Sequence, residues 1–311
     1  MDVSVVICAY TERRLDQLRE AVGSVEDQTS PPAEVVVVID HNDALLARAV
    51  ADWPRHTVLP NRHRKGLSGA RNTGVAGATG EVVAFLDDDA CADPRWLERL
   101  CRHFADPVVG GVGGGIAPAW AEGAPRWFPE EFLWVVGCSY EGMPTEVAEV
   151  RNPIGANMAF RRELVVRAGG FAEEVGRVGT VPAGCEETEL SIRLRAGGAR
   201  ILYDPDALVH HLVPADRGTL RYFRRRCFAE GRSKAVVARL ADATSALATE
   251  REYARRTLPR GVARGLREAV RGPDRAAGAE RAGAIPLGLA CTVAGYVDGS
   301  VRRGGPAAAT A

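Results

Sequence analysis

The stretch Val82-Val83-Ala84-Phe85-Leu86-Asp87-Asp88-Asp89 decides the fold, because its unbroken apolar run ends abruptly in three carboxylates. An apolar run without polar alternation is typical of a strand buried on both faces, as in a parallel sheet covered by helices. The acids then lie at the carboxyl end of the strand, where open α/β sheets bind their ligands. The stretch therefore predicts an α/β protein with a ligand site at this sheet edge.

Adjacent carboxylates repel one another and raise each other's pKa unless a cation neutralises them. A hard divalent metal held by oxygen ligands, Mn²⁺ or Mg²⁺, is the simplest such cation, and it commonly leaves positions for water or substrate phosphates. The implied ligand is therefore a diphosphate. An acid-rich turn is the alternative, with Asp93-Pro94 as the ordinary start of a helix, and the acids alone do not decide between the two.

Strand and helix patterns alternate before this stretch. Apolar runs predict strands at 3–10, 35–39 and 57–59, and apolar residues at helical spacing predict helices at 15–25 and 44–53. This alternation is the opening of a doubly wound, Rossmann-like sheet. The first strand is not followed by GxGxxG, and the sequence contains neither GxxxxGKS nor GxxxxGKT, so dinucleotide-binding and P-loop folds are disfavoured.

Composition narrows the class of protein. The 311 residues include 40 Lys plus Arg and 40 Asp plus Glu, a balance that does not indicate a nucleic-acid partner. Seven scattered cysteines without a CxxC pair favour a reduced, cytoplasmic protein. The late apolar stretch 284–297 is interrupted by Pro286 and falls short of the roughly 20 residues that a membrane span requires.

A segment rich in glycine and basic residues follows the third predicted strand. It runs from Asn61 to Gly74 and reads NRHRKGLSGARNTG. Glycine and serine can open a helix whose free N–H groups face the sheet edge, and Arg71 one turn into that helix suits an anion. The alternative is a solvated loop and an ordinary helix with Ser68 as its N-cap.

Taken in order, these segments resemble a known family. SVVICAYTERR at 4–14, a second strand ending in Asp40, N-x4-G-L-S-x-A-R-N-x-G from Asn61 and the final FLDDD are similar to the nucleotide-binding half of a family 2 glycosyltransferase. The resemblance implies an α/β GT-A fold, a Rossmann-like mixed sheet flanked by helices. It predicts a GT-A domain at 1–215, with a nucleotide-binding half at 1–106 and an acceptor half at 107–215. A basic helical C-terminal extension would follow at 216–311.

The resemblance also implies which residues hold the donor. Ala9, Tyr10 and Glu12 would line the pocket for the base and ribose of a nucleoside-diphosphate sugar, most often a UDP or dTDP sugar. Asp40 would contact the base. Arg71 would approach the diphosphate or the ribose.

The same resemblance gives the acids a metal-binding role. Asp87 and Asp89 would form the DxD-type pair, with Asp89 nearest the metal and Asp87, together with Asp88, on the donor side. The later sequence V-x-H-x-V-P resembles a family segment that favours His211 over His210 as a further metal or diphosphate ligand. Alternation along a strand points these two imidazoles to opposite faces, so at most one reaches the site.

Residues 155–161 resemble the family's G-x-N-x-x-x-R strand, which lies beside the donor sugar. By that match Gly155, Ala156 and Asn157 would border the sugar, where small residues let the backbone approach closely. A short helix is predicted at 163–168, and a loop at 172–184 follows it.

The segment EETEL at 186–190 resembles the family's E-D-x-E-L, whose second acid takes the proton from the attacking acceptor hydroxyl. That acid is Glu187 here, a glutamate where aspartate is frequent, and the neighbouring Glu186 stays open as the base. Carboxylates in a first helical turn also stabilise the helix dipole without any catalytic role.

Aromatic residues cluster in the middle of the chain. Aromatic faces suit the apolar side of a sugar or a lipid, yet such a cluster is more often a small satellite core. Both interpretations stay open for this set: Trp120, Trp127, Phe128, Phe132 and Trp134.

The last third of the chain is basic. Two strands are predicted there, at 200–203 and 207–212, with a turn at 204–206 between them. Two basic helices are predicted at 219–234 and 253–270, and a charged linker at 271–282. The first basic helix has three possible roles, namely a solvated face, a flap over the diphosphate, or a surface that meets anionic lipid. Residues 284–301 are expected to pack on the domain or to lie against a membrane surface.

These observations together predict an inverting, metal-dependent glycosyltransferase that moves a sugar from a nucleoside diphosphate to an acceptor hydroxyl. The acceptor would be a glycan, a lipid-linked sugar or a small molecule. We expect a cytoplasmic protein, with peripheral contact at the inner face of the membrane as an option. A sugar nucleotidyltransferase and a catalytically inactive nucleotide-sugar-binding protein are the alternatives.

Overall fold

The computed structural model describes residues 1–174, 184–240 and 248–301, which form two compact units. The sheet unit comprises Met1–Ala117 and Pro144–His211, and the helical unit comprises Pro118–Met143 and Leu212–Ala311. The sequence predicts a single boundary at residue 215. In the structure segment 118–143 instead belongs with the C-terminal helices, because its aromatic side chains pack around Phe223.

The described chain contains nine strands and ten α-helices. The strands are β1 (Val3–Ala9), β2 (Glu34–Ile39), β3 (Thr57–Pro60), β4 (Val82–Asp87), β5 (Ala90–Ala92), β6 (Val109–Trp120), β7 (Ala148–Glu149), β8 (Asn157–Arg161) and β9 (Arg200–Val213). The helices are α1 (Leu15–Glu26), α2 (Asp43–Asp52), α3 (Leu67–Gly77), α4 (Trp96–Cys101), α5 (Arg162–Arg167), α6 (Glu186–Ala196), α7 (Leu220–Leu240), α8 (Ala248–Glu252), α9 (Leu258–Arg271) and α10 (Arg275–Val301).

The sheet is mixed, with strand order β3-β2-β1-β4-β8-β6-β9-β5, and β7 pairs with β9. The first four strands are parallel, and β8 is antiparallel to both β4 and β6. The chain runs outward from β1 to β3 and then returns to place β4 on the other side of β1. The gap between the carboxyl ends of β1 and β4 is therefore the point where the strand order reverses.

The apolar runs of β1, β2 and β4 are buried because helices cover the sheet. One core cluster joins side chains of these strands to β8 and α6, including Val6, Val36, Phe85, Met158 and Leu190. None of the seven cysteines, which all lie in the described ranges, forms a disulfide bond. The central strands thus hold their ends in place through continuous apolar packing.

One predicted turn is wrong. The sequence predicts separate strands at 200–203 and 207–212, whereas β9 runs unbroken from Arg200 to Val213. Asp204 Oδ1 accepts the N–H of Asp206 at 3.0 Å, and Asp204 Oδ2 binds Arg102 and His103 at 2.7 Å each. The bonds to Arg102 and His103 hold Asp204 in place, and the strand continues through 204–206 although Asp204 makes the i+2 side-chain bond that is common in turns.

A predicted helix start also shifts. The sequence offers Asp93-Pro94 as the start of a helix, but α4 begins at Trp96. Asp93 still receives the N–H of Arg95, through its Oδ1 at 3.2 Å. The aspartate therefore organises the turn before the helix.

The aromatic segment forms a satellite core in the helical unit. Phe223 of α7 is fully buried, and its ring centroid lies 5.2–5.6 Å from those of Trp127, Phe128 and Phe132. Trp120 packs on Phe128, with 5.4 Å between the ring centroids. The core interpretation of this cluster therefore holds for the rings that surround Phe223.

The predicted charged linker at 271–282 is wrong from residue 275 onward, because α10 begins at Arg275. Small residues explain the difference. Ala277, Gly278 and Ala282 are buried, and a β-carbon at Gly265 of α9 would lie 2.9 Å from the Gly278 carbonyl oxygen. This close approach of two helix backbones overrides the low helix propensity of glycine.

The contact between α7 and α10 generates a first prediction, since it also depends on a glycine. A β-carbon at Gly231 would lie 2.6 Å from the Tyr296 backbone nitrogen, and backbone cannot move aside as a flexible side chain can. We expect Gly231→Ala to lower the free energy of unfolding by about 1–3 kcal/mol, the usual cost of overpacking. Urea unfolding followed by circular dichroism measures this.

Gly283→Ala is the matched control, because Gly283 lies in α10, is exposed and has no atom within 4 Å of an added β-carbon. Alanine should there raise stability by up to about 1 kcal/mol through helix propensity. Equal effects of the two substitutions would contradict the close contact.

A second prediction concerns acid stability of the helical unit. Glu230 is buried in α7; burial raises its pKa, but Arg226 at 2.8 Å and Lys234 at 3.3 Å outweigh burial and bring the pKa to about 2. A carboxyl with a lowered pKa stabilises the fold above its unfolded pKa, near 4.5, and that stabilisation is lost as the pH falls toward 2. The shift corresponds to about 3 kcal/mol.

We therefore expect Glu230→Gln to be less stable than the parent protein at neutral pH, by an amount that shrinks between pH 4.5 and 2. Thermal unfolding of both proteins across that pH range measures the difference. A difference that does not change with pH would contradict the prediction.

Candidate functional site

The carboxyl ends of β1, β2 and β4 meet at one edge of the sheet unit. Cys8 of β1 is in register with Asp87, the last residue of β4, and the Asp40 N–H donates to the Ala9 carbonyl at 2.8 Å. Crevices of this kind, at the reversal of strand order, are where open α/β sheets bind ligands. Segments that are far apart in the sequence thus supply one site.

The three acids lie beside His211. After β4 the chain turns into β5, which pairs with β9 so that Ala90 stands opposite His211. His211 Nε2 therefore lies 3.1 Å from Asp89 Oδ1. Ligand atoms of Asp87, Asp89 and His211 all lie within 4.8 Å of one another. His210 points to the other face of β9 and is exposed.

Arg14 is the residue of this cluster that sequence reasoning missed. Its guanidinium lies 2.8 Å from Asp88 Oδ1 and 3.1 Å from Asp89 Oδ2. The sequence shows Arg13 and Arg14 as equal members of a polar turn, and only the turn geometry at Glu12–Arg14 decides which of them faces the acids.

The cluster holds more negative than positive charge. Burial, and next the carboxylate of Asp89, raise the pKa of Asp88 to about 7 although Arg14 opposes the shift. Asp88 Oδ2 is buried and has no hydrogen-bond partner among the described residues. Asp87 is the most open of the three acids, with 31% of its side chain exposed.

This donor set fits a divalent cation. Two carboxylates and one imidazole are ligands that Mn²⁺ accepts, and the carboxylates also suit Mg²⁺. A cation there would balance the excess negative charge. Asp87, Asp89 and His211 are the residues that would hold it.

Arg71 is buried, with 2% of its side chain exposed, and its guanidinium bonds to the protein. Nη1 donates to Glu186 Oε1 at 2.7 Å, and Nη2 donates to the Gly155 carbonyl at 2.9 Å. Asp87 Oδ1 lies 3.5 Å from Nη2. Arg71 therefore joins α3, β4, the start of α6 and the segment before β8.

The two glutamates at the start of α6 have different surroundings. Glu186 is buried against Arg71, whereas Glu187 is more accessible and receives the Thr188 hydroxyl at 3.2 Å. Cys185 before them has a left-handed backbone with φ 77°, which is strained for a residue with a β-carbon. Residues 175–183 of the predicted loop lie outside the described residues.

Asp40 anchors the segment that leads into α3. Its Oδ1 accepts from Asn61 Nδ2 at 2.6 Å, and its Oδ2 accepts from the Gly66 N–H at 3.0 Å. Gly66, with φ 132°, occupies the N-cap position of α3, so Ser68 lies inside the helix. His41, which follows Asp40, is the other described non-glycine residue with a left-handed backbone.

The remaining predicted donor residues lie along the same edge. Ala9 is buried, Tyr10 is partly exposed with the Arg14 guanidinium 5.8 Å from its ring centroid, and Glu12 is exposed. Tyr10 and Glu12 thus present side chains to solvent beside the acid cluster.

The side chain of Asn157 forms hydrogen bonds within the sheet unit. It is fully buried: Oδ1 accepts from Trp96 Nε1 at 2.7 Å, and Nδ2 donates to the carbonyls of Gly115 and Ala207 at 2.8 Å each. These bonds join β8 to α4, β6 and β9. Of the three residues expected to border the sugar, Gly155 lies against Arg71, and a β-carbon there would be 3.0 Å from Arg71 Nη2.

Arg71 and Glu186 generate a third prediction. Removing one partner of a buried ion pair leaves the other charge uncompensated, so we expect Arg71→Ala and Glu186→Ala each to cost about 3–5 kcal/mol of stability. The double variant should cost clearly less than the sum, since contacting residues couple. Denaturant unfolding of the four proteins closes the cycle, and strict additivity would contradict the pairing.

Comparison with known proteins identifies the family that the chain matches. The family model described as "Glycosyl transferase family 2" matches residues 4–168. A glucosyl-dolichyl phosphate glucuronosyltransferase of Haloferax volcanii is 37% identical over 242 residues, which cover 76% of this chain and 77% of that protein. Succinoglycan biosynthesis protein ExoM of Rhizobium meliloti is 26% identical over 242 residues, covering 75% and 74% of the two chains.

Solved structures show the same fold. One of them is the mannosyltransferase PcManGT of Pyrobaculum calidifontis, solved in complex with GDP-Man and Mn²⁺. It matches with a TM-score of 0.61 at 22% identity, and the match covers 97% of this chain and 88% of that chain. GalNAc-T7, solved with UDP, GalNAc and Mn²⁺, has a TM-score of 0.52 at 19% identity and covers 74% and 47% of the two chains.

Proposed function

The chain belongs to glycosyl transferase family 2 and is a glycosyltransferase with the GT-A fold, and from this premise we propose that it moves a sugar from a nucleoside diphosphate to an acceptor hydroxyl with inversion. The observation that carries the proposal is the group of Asp87, Asp89 and His211 at the strand-order reversal. A metal held by these three would stabilise negative charge on the departing diphosphate.

The donor is bound along the strand ends. Tyr10 and Glu12 face the base and ribose, and Asp40 holds the segment before α3 close to them. A UDP or dTDP sugar is the donor class we propose. Because the relative from Haloferax volcanii is named a glucuronosyltransferase, UDP-glucuronic acid is the first sugar to test.

Glu187 takes the proton from the acceptor hydroxyl. Support comes from the contrast with Glu186, whose carboxylate is already bound to Arg71 at 2.7 Å. General-base assistance of this kind contributes about 10²–10⁴-fold to rate. The acceptor we propose is a lipid-linked sugar, since the same relative is named for a glucosyl-dolichyl phosphate acceptor; other glycans and small molecules are the alternatives.

A fourth prediction tests donor and metal binding. UDP, dTDP and GDP, each with Mn²⁺ or Mg²⁺ and again with EDTA, are screened by thermal shift. A ligand at about 100 times its Kd adds roughly 2.7 kcal/mol of stability, so one diphosphate should give a clear, metal-dependent shift. Asp89→Asn should abolish the metal dependence. A shift that EDTA leaves unchanged would contradict the metal site.

Turnover then separates the bases and the alternatives. Glu187→Gln should keep the thermal shift but lose about 10²–10⁴-fold in rate, and Glu163→Gln, an exposed glutamate in the first turn of α5, is the matched control with full activity. Loss with Glu186→Gln alone, in a folded protein, would move the base to Glu186. A parent protein that binds donor without turnover would favour the inactive-binder alternative, and formation of the donor from a sugar phosphate would favour a nucleotidyltransferase.

A further inference from the structure

Helix α9 turns two different kinds of residue toward solvent. It buries Leu258, Gly261 and Gly265, which lie along one side of the helix. Its exposed residues form two rows at helical spacing. The apolar row consists of Pro259, Ala263, Leu266 and Val270, and the basic row consists of Arg260, Arg267 and Arg271.

The two rows lie side by side on one outward surface of α9. Successive residues of a helix are about 100° apart, so the centre of the apolar row is about 90° from the centre of the basic row. The buried residues are centred about 135° from each row, on the opposite side of the helix. Because both rows belong to a single helix, helix geometry alone places them on the same surface.

The apolar row leaves large side chains uncovered. Leu266 is 55% exposed and Val270 is 66% exposed, whereas Leu258 on the inner side is buried. Two of the three buried positions of α9 are glycines, which bring the backbone of the helix close to its neighbours. Packing within the helical unit therefore does not explain the outward apolar row.

The basic row has no acidic partner. None of Arg260, Arg267 and Arg271 forms an ion pair with any residue in the described part of the chain. Glu268, the one acid of α9, lies outside the outward surface and pairs with Arg281 of α10 at 2.5 Å. The surface therefore favours an anionic partner. A second copy of the chain would bring the same three arginines and no acid on the matching surface.

The neighbouring helix α10 does not share this pattern. By length and composition it could cross a membrane, and 28% of its apolar window is buried. This corrects the sequence-based length estimate, which counted 284–297 alone. Between 282 and 301, however, its one charged residue is Asp298. The combination of an apolar row with a basic row is therefore a property of α9.

An apolar row beside a basic row is typical of a helix that lies in the interface of an anionic bilayer. Such a helix buries its apolar residues about 5–10 Å into the boundary between head groups and acyl chains, while its basic residues meet the anionic lipids. An acidic protein surface would satisfy the arginines, but it would need a fitted apolar patch to cover Leu266 and Val270. A bilayer offers both environments along its whole surface.

We propose that the outward surface of α9, formed by its apolar and basic rows, binds an anionic lipid bilayer, with the helix parallel to the bilayer plane. This goes beyond the proposed function and does not depend on it, because binding needs neither donor nor metal nor turnover. Absence of vesicle binding would leave the proposed function as it stands, and absence of turnover would leave the bilayer surface as it stands.

Vesicle flotation of the full chain tests the proposal. Vesicles of phosphatidylcholine alone are compared with vesicles that also contain phosphatidylglycerol, and we expect binding to the anionic vesicles that falls with added salt. Leu266→Gln with Val270→Gln should weaken this binding about tenfold or more, because two large apolar side chains no longer enter the bilayer. Arg267→Gln with Arg271→Gln should weaken it about fivefold per arginine, the usual effect of a basic residue near such a surface.

Val50→Gln with Arg55→Gln is the matched control in the sheet unit. Val50 is 53% exposed, and Arg55 is exposed and forms no ion pair within the described residues. This variant should bind as the parent protein does. Circular dichroism confirms that each variant is folded, as expected for glutamine at exposed helix positions. If a double variant of α9 is not folded, its single substitutions and the salt dependence of the parent protein take its place.

Four outcomes would overturn the proposal: no binding, equal binding to both vesicle types, binding that the substitutions in α9 leave unchanged, or an equal loss with the control variant. So would light scattering that finds a dimer which Leu266→Gln with Val270→Gln dissociates, since a second copy would then cover the surface.

Discussion

The site depends on the hydrogen bonds and the ion pair of the buried Arg71 guanidinium. It lies where α3, β4 and α6 converge, and it bonds to Glu186 and to the Gly155 backbone. The guanidinium carbon lies 5.8 Å from the ring centroid of Phe85 and 5.6 Å from that of Phe171, so the same group also packs on the apolar core. An arginine suits this position better than a lysine would, because its planar fork serves several acceptors at once.

Arg14 plays the complementary part on the outer side of the acids. With one cation against Asp88 and Asp89 and another against Glu186 and Asp87, the strand edge keeps four carboxylates within a small volume. The two arginines compensate these acids only in part, and the pKa of Asp88 stays raised, first by burial and then by the carboxylate of Asp89. This incomplete compensation supports the proposal of a cation at this edge of the sheet.

The sequence predicts those features of the fold and of the site that depend on short segments. The α/β fold, which apolar patterning predicts, is confirmed, and so is the family, which the resemblance of the segments at 4–14, 61–74 and 85–89 predicts. His211 was predicted only through the resemblance, since its proximity to Asp89 requires β5 to pair with β9 across more than a hundred residues. The choice of Arg14 over Arg13 had no sequence signal.

The errors have a common physical cause. At 204–206 and at 275–282 the residues carry turn and linker character, yet tertiary contacts decide the outcome: Arg102 and His103 hold Asp204 in a strand, and close helix contacts at Gly265 and Gly278 make glycine favourable inside α10. Propensity is a weak prior of about 1 kcal/mol per glycine. The stabilisation from helix contacts that only glycine permits is larger than this propensity cost.

The packing of α6 bears on the proposal that Glu187, and not Glu186, is the base. Successive residues on a helix point about 100° apart, so when Glu186 turns inward to Arg71, Glu187 must point elsewhere. Proton transfer to Glu186 would discharge half of a buried ion pair and leave Arg71 uncompensated, at a cost of several kcal/mol. Glu187 can accept a proton without breaking that pair. The orientation of α6, held by Arg71, therefore gives Glu186 a structural partner and supports the proposal that Glu187 is the base.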